Sequence, residues 1–382
     1  MNNRFTQLFI GALLMLGGVS TALANTCTYY PGSADAQYTL PLPTANISVG
    51  ADIPVGTVLY RMQAGNTTAL RPWWHCTTDG GKSFNVLQYL TLSNTPALVP
   101  NWTGRFAGKL YQTSVAGIGI AFVNADGYNA GQDSGALSTS PFLKYTIPIP
   151  ENIDWQSFYA NTMYIHFVKT GPVSGGVING ANLPTVTLTA NSDAPTTGMP
   201  LTPLIYNFSG SMNVIATSCT TPDVTVNLGK HETNTFNAIG AASPWVGFNI
   251  ALQNCPPMYG SYPESTSPPT GFNDQTTAPG TVVQNSITLG FTPAYGIENA
   301  AQGIFKINPA TGNATGVGIQ LARGSSNNNP PLVNLAQLIS QSFASTSNQN
   351  FTLPFQARYI QTASKVTPGP ADGRATFTIN YY

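Results

Sequence analysis

The residues whose chemistry could matter gather in two short stretches of the first half. Trp73-Trp74-His75-Cys76 sets two indoles and an imidazole beside a thiol, with Asp79 close behind. Asn124 to Asp133 carries Asp126, Tyr128, Asn129, Gln132 and Asp133 among glycines. Aromatic faces with a few Asp, Asn or Gln side chains on loops fix hydroxyl orientation, which is the chemistry of a sugar site. A histidine base at His75, a nucleophile at Ser134 and a buried acid would instead suit acyl transfer, provided that the three meet in space. Blander readings stand beside both. Tryptophans next to a cysteine often pack against a disulfide in a sandwich core, and a polar glycine-bearing loop is often a solvated hairpin tip. His166 and His231 lack partners at metal-ligand spacing, so no metal and no cofactor is expected.

Such side chains need a frame, and the sequence supplies strands. Thr57–Met62, Ile118–Val123, Met163–Val168 and Thr185–Thr189 are short β-rich runs bounded by Gly, Pro, Asn or Asp. The same texture returns at Val224–Leu228, Phe248–Leu252 and Ile287–Phe291, and Leu332–Ile339 is the one candidate helical turn. Gly (37) and Pro (30) punctuate the chain, while hydrophobic residues at 42% can fill a core. The fold expected is all-β.

Charged residues make up only 7% of the chain and the formal net charge is +0, so the clustered Lys and Arg of a nucleic-acid binder are missing. Residues 1–24 read as a signal peptide. Arg4 supplies the positive end, Leu8–Leu16 the apolar run, and Ala22-Leu23-Ala24 the cleavage site. That run is shorter than the roughly 20 residues a spanning helix needs. Cys27, Cys76, Cys219 and Cys255 allow three pairings. Two cysteines in each half of an exported chain favour Cys27–Cys76 and Cys219–Cys255. Each bridge would contribute about 4 kcal/mol by loop closure. Length fits two domains, 25–197 and 206–382, joined by a linker at 198–205, with the boundary placed around the breaker-rich stretch Ser192–Leu204. Pro256–Pro279 reads as an inserted surface loop.

The tail Arg374–Tyr382 alternates, with Ala375, Phe377, Ile379 and Tyr381 on one face and Thr376, Thr378 and Asn380 on the other. From periodicity alone this is an ordinary last strand. Gly210–Cys219 followed by Pro222–Gly229, the cysteine after Phe248-Asn249-Ile250, Gly316–Leu321, Leu353–Tyr359 and Gly369–Tyr382 occur in an order that resembles the pilin domains of chaperone–usher fimbriae. The resemblance covers roughly 206–382. It implies an incomplete immunoglobulin-like sandwich lacking its last strand, into whose groove a periplasmic chaperone and then the next fimbrial subunit lend a strand at an outer-membrane usher. Gly369, Ala375, Phe377, Ile379 and Tyr381 would line or flank that groove, and the terminal carboxylate would anchor on the chaperone's basic residues. The Pro256–Pro279 stretch departs from the family in length.

The first half resembles, on fewer residues, the receptor-binding domains of two-domain fimbrial adhesins. The match rests on the early cysteine, on Ile53–Leu59 and on His166–Pro172 with its following glycines. This implies an elongated, lectin-like sandwich that binds a host glycan or matrix protein. Its tentative ligand residues are Trp73, Trp74, Asp79, Asp126, Tyr128, Asn129, Gln132 and Asp133. Only Asn25 and Thr26 separate the expected cleavage site from Cys27, so no strand donor is expected ahead of it and the subunit is placed at the fimbrial tip on the cell surface. The first domain is expected to fold alone and the second to need a donated strand. Three other readings compete: a shaft subunit without receptor binding, an outer-membrane β-barrel, and a secreted serine hydrolase. Thirty prolines weigh against the barrel. The hydrolase would place His75 and Ser134 only about 59 residues apart, closer than a chymotrypsin-like double barrel allows, and no catalytic residue is expected.

Overall fold

The computed structural model describes residues 25–31, 36–42, 46–66, 74–78, 82–125, 135–156, 161–272, 277–278 and 280–382. The first sixteen strands are β1 (Asn25–Tyr29), β2 (Ala36–Pro41), β3 (Asn46–Gly50), β4 (Val58–Asn66), β5 (Trp74–Thr77), β6 (Phe84–Ser93), β7 (Tyr111–Gln112), β8 (Ile118–Asn124), β9 (Phe142–Ile149), β10 (Asp154–Gln156), β11 (Asn161–Lys169), β12 (Gly176–Asn179), β13 (Thr185–Ser192), β14 (Thr196–Thr197), β15 (Leu201–Ser209) and β16 (Ser211–Thr217). Two large sheets, β2-β15-β13-β6-β9 and β19-β18-β4-β11-β8-β7, enclose the first core, and two small ones, β10-β5-β1-β14 and β12-β16-β3, close its sides; β18 (Thr270–Phe272) and β19 (Thr277–Ala278) come from far along the chain.

Alternation decides which residues face inward. Phe84, Val86, Leu90 and Leu92 of β6 are buried while their neighbours are only partly so. Strand β8 is buried along its whole length because both its faces are covered. Its outer face packs against Phe106 and Leu110 from the excursion between β6 and β7.

The second sandwich consists of β17 (Val246–Cys255), β20 (Asn285–Pro293), β21 (Ile297–Asn299), β22 (Ile304–Lys306), β23 (Val317–Arg323), β24 (Ile339–Phe343), β25 (Gln349–Gln361) and β26 (Ala375–Tyr381). They form the sheets β17-β25-β23-β22-β21 and β24-β20-β26. Each half has its own core and its own disulfide, Cys27–Cys76 and Cys219–Cys255, as the cysteine count predicts. In the first bridge the two cysteines sit directly opposite each other on β1 and β5.

Three expectations change. The 198–205 linker is largely strand β15, which pairs with β13 and β2 inside the first sandwich, and β16 follows it there. The breakers misled because Pro203, which has no N–H to donate, sits where the β13–β15 register shifts, a place where proline is tolerated. The chain crosses to the second sandwich only after Thr217. A fragment ending at residue 197 would therefore lack two strands of the first fold. Leu332–Ile339 is no helix: Leu332 bridges Ala322 of β23, and Val333 donates to the Leu321 carbonyl before a turn leads into β24. Val224–Leu228 alternates in burial yet belongs to no sheet of the described residues. A strand needs a neighbour, and the space beside this segment is a groove.

Candidate functional site

Val224–Leu228 and β26 form opposite walls of that groove. Val224, Val226 and Leu228 face Ala375 and Phe377 across a cavity of about 150 Å³ floored by Phe248, Phe291 and Phe305 among others. It continues past Cys219 and Asp223 into a wider space of about 730 Å³ beside Ile379 and Tyr381. Beyond its other end, Gly369 and Phe236 border a further cavity of about 390 Å³. Gly369 has φ +155°, and a Cβ there would lie 2.6 Å from Ala314 N, so the turn before β26 requires glycine.

The groove leaves apolar side chains half covered. Leu289 of β20 is 1% exposed, whereas its partner Ile379 on the same face is only partly buried. The backbone of β26 is equally lopsided. Tyr382 and Ser286 exchange both hydrogen bonds, and Ala294 N donates to Arg374 O. In an antiparallel ladder such pairs alternate with pairs whose N–H and C=O groups point outward. Ala375, Phe377, Ile379 and Tyr381 are therefore the residues whose backbone donors and acceptors point away from β20.

The segment expected as a surface loop does something else. It runs back along the first sandwich and completes its sheet. Tyr262 N donates to Leu59 O (3.0 Å), Arg61 N to Tyr262 O (2.9 Å) and Gln63 N to Pro269 O (2.9 Å), and β18 then pairs in parallel with Gln63–Gly65 of β4. Its Glu264 accepts a bidentate pair from Arg105, one bond 2.9 Å long, and sits 3.1 Å from His166 Nε2. Arg61 Nη2 donates to Thr266 O at 2.9 Å. His166 is wholly buried, and burial holds its pKa below the ordinary 6.5 against the raising influence of Glu264. Nearer the groove, Ser48 Oγ donates to Pro257 O, and buried Asn285 donates to Ser48 O and Tyr382 O.

A family model described as "Fimbrial protein" matches residues 206–382, the half that holds the groove. The type-1 fimbrial protein A chain of Escherichia coli K12 is 30% identical over 159 residues, 42% of this chain and 71% of that protein. The fimbrial-like protein FimF of Salmonella typhimurium is 31% identical over 156 residues, 41% of this chain and 70% of that protein. The chain belongs to the fimbrial proteins.

Among solved structures, the CupB6 tip adhesin of Pseudomonas aeruginosa is 15% identical and covers 94% of each chain, with a TM-score of 0.32. The receptor-binding domain of the adhesin MrkD1P of Klebsiella pneumoniae is 14% identical over 51% of this chain and 98% of that one, with a TM-score of 0.31.

In this fimbrial protein the expected groove residues Ala375, Phe377, Ile379 and Tyr381 come together on one wall, with Gly369 at the neighbouring cavity. The expected ligand residues fare differently. Trp74 is fully buried in the first core beside Cys27 and Cys76 and offers no face to a ligand. Trp73, Asp79, Asp126, Tyr128, Asn129, Gln132 and Asp133 lie outside the described residues, as does Ser134. His75 lies 3.3 Å from Thr28 Oγ1 and edge-on to Tyr30. No group of three or more metal-ligating side chains occurs among the described residues. Arg105 and Glu264 escaped sequence reading because they are remote in the chain. The available signal was scarcity, since Glu264 is one of two charged residues in the whole of Pro256–Pro279.

Proposed function

We propose that this fimbrial protein is the adhesive tip subunit of a chaperone–usher fimbria. The second sandwich takes a strand from another polypeptide, first a periplasmic chaperone and then the adjoining subunit at the usher, and the first sandwich meets a host glycan or matrix protein. The observation that carries the reading is the groove between Val224–Leu228 and β26. An added extended segment would satisfy outward backbone groups, and its alternate apolar side chains would fill the cavities. The extra sandwich ahead of the family-matched half supports a receptor-binding role. Strand β1, tied by Cys27–Cys76 and paired with β5 and β14, is committed to that sandwich and is not free to act as a donor. Binding and assembly, not catalysis, are then its work, and its place is the tip of the filament outside the cell after passage through the periplasm.

The assembly half is tested by titrating the full chain with a synthetic peptide that alternates Ile and Thr. Saturable binding and a rise in the unfolding temperature are expected. A full chain that is monomeric, fully cooperative in unfolding and indifferent to the peptide sinks the reading. The receptor half is tested by screening the peptide-complemented full chain on a glycan and matrix-protein array.

A further inference from the structure

The wall formed by β26 is not open along its whole length. Of its outward-facing residues, Tyr381 already has partners: its N–H donates to Asp52 Oδ2 at 2.8 Å, and Asp52 N donates to its carbonyl at 3.0 Å. Asp52 belongs to the turn after β3, in the first sandwich. A Cβ built on Gly50 would lie 2.2 Å from Tyr381 O, so the turn approaches the strand as closely as only glycine permits. The turn is itself held from beneath, where the buried Lys169 ammonium donates to Gly50 O (3.2 Å) and Ala51 O (2.7 Å).

We propose that the Gly50–Asp52 turn of the first sandwich is a stop at one end of the groove, which confines an incoming strand to the backbone of Ala375, Phe377 and Ile379. This rests on the groove being a strand acceptor. Asp52 occupies the hydrogen-bonding positions at Tyr381 that a longer donor would need. The partner it fits is an extended segment whose ladder ends opposite Ile379, with no acidic residue at that end, where the Asp52 carboxylate would oppose it. Lys169 is a positioning residue: it fixes the turn and touches no incoming chain. The first sandwich thus helps to select which strand the second accepts, and in what register.

The test titrates the full chain with alternating Ile/Thr peptides lengthened two residues at a time. In the wild-type chain, Kd improves with length until the peptide spans Ala375 to Ile379 and then stays within about twofold. In Gly50→Ala, whose Cβ pushes the turn off Tyr381, the next extension tightens binding about tenfold, the return from two further backbone hydrogen bonds. In Asp52→Ala, where the backbone N–H of residue 52 still donates to Tyr381 O, it tightens about threefold, the return from the one N–H set free. Asp52→Asn, which keeps an oxygen acceptor, retains the wild-type plateau. Wild-type binding that keeps tightening past Ile379, or a plateau that both loosening variants leave in place, overturns the stop while the groove stands. Absence of binding by every peptide overturns the groove and the stop with it. Should the variants fail to fold, the wild-type length series decides alone.

Discussion

Strands β4 and β26 both run at the margin of a sheet, and the chain treats the two margins in opposite ways. Beside β4 lies the chain's own segment, bonded through Tyr262 and Pro269 and extended as β18. Beside β26 lies a groove of comparable reach with no ladder partner among the described residues except the Asp52 cap at Tyr381. The closed margin is polar at its centre, where Arg61, Arg105, His166 and Glu264 meet; the open one is lined by Val226, Phe377 and Ile379. An exposed apolar edge is an aggregation hazard unless something covers it. That one molecule fills such an edge internally at β4 and has no ladder partner among the described residues along most of β26 is what the proposed strand acceptor requires.

The contrast is broken most severely from the open side. Phe377→Asp puts a carboxylate where a donated strand would bury it without a counter-charge. We expect complementation to weaken by about 3 kcal/mol or more, roughly a hundredfold in peptide Kd, with a smaller loss of stability in the uncomplemented chain, where Phe377 is only partly packed on the second core. An equal loss of stability without peptide would show that the groove is ordinary core. From the closed side, Glu264→Gln removes the carboxylate that Arg105 and His166 share. A cost of about 2 kcal/mol is expected, seen as an unfolding temperature lower by several degrees, with peptide affinity preserved. No shift in that temperature would reduce the clasp to a surface contact.

How much of this could be read in advance varies with the physical range of the signal. Strands β13 and β20 announce themselves by period-two burial, and each is where its residues predict. Both disulfides follow from cysteine count and placement, and the shared face of Ala375, Phe377, Ile379 and Tyr381 follows from one alternating run, whereas its place beside a groove is what only the family resemblance implies. Strand β15 was hidden because Pro203 acts locally as a breaker but sits at a register shift, a fact that only the pairing with β13 supplies. Val224–Leu228 has the pattern of a strand, yet pattern carries no information about whether a neighbour is present. The Arg105–Glu264–His166 contacts and the Asp52 cap join residues 98 to 329 positions apart, and no local spacing encodes them.

The smallest effect separates the two margins by pH. Burial keeps the His166 pKa below its ordinary 6.5, with the Glu264 contact pulling upward and Arg105 and Arg61 adding to the depression. Below that value the unfolded chain binds a proton that the folded chain resists. Stability contributed by the neutral ring is whole above about pH 6.5 and declines as pH falls beneath it, with a limit of about 1.4 kcal/mol per pH unit for one proton. His166→Gln removes this contribution, so its stability between pH 5 and pH 6.5 should fall less steeply than wild type, whatever its absolute stability. The open margin holds no such group on β26, whose side chains from Ala375 to Ile379 are apolar or hydroxyl-bearing. Peptide affinity should therefore stay flat over the same interval. Chemical denaturation across that range, with and without peptide, reads both slopes, and equal slopes for wild type and His166→Gln would remove the clasp as the site of the acid sensitivity.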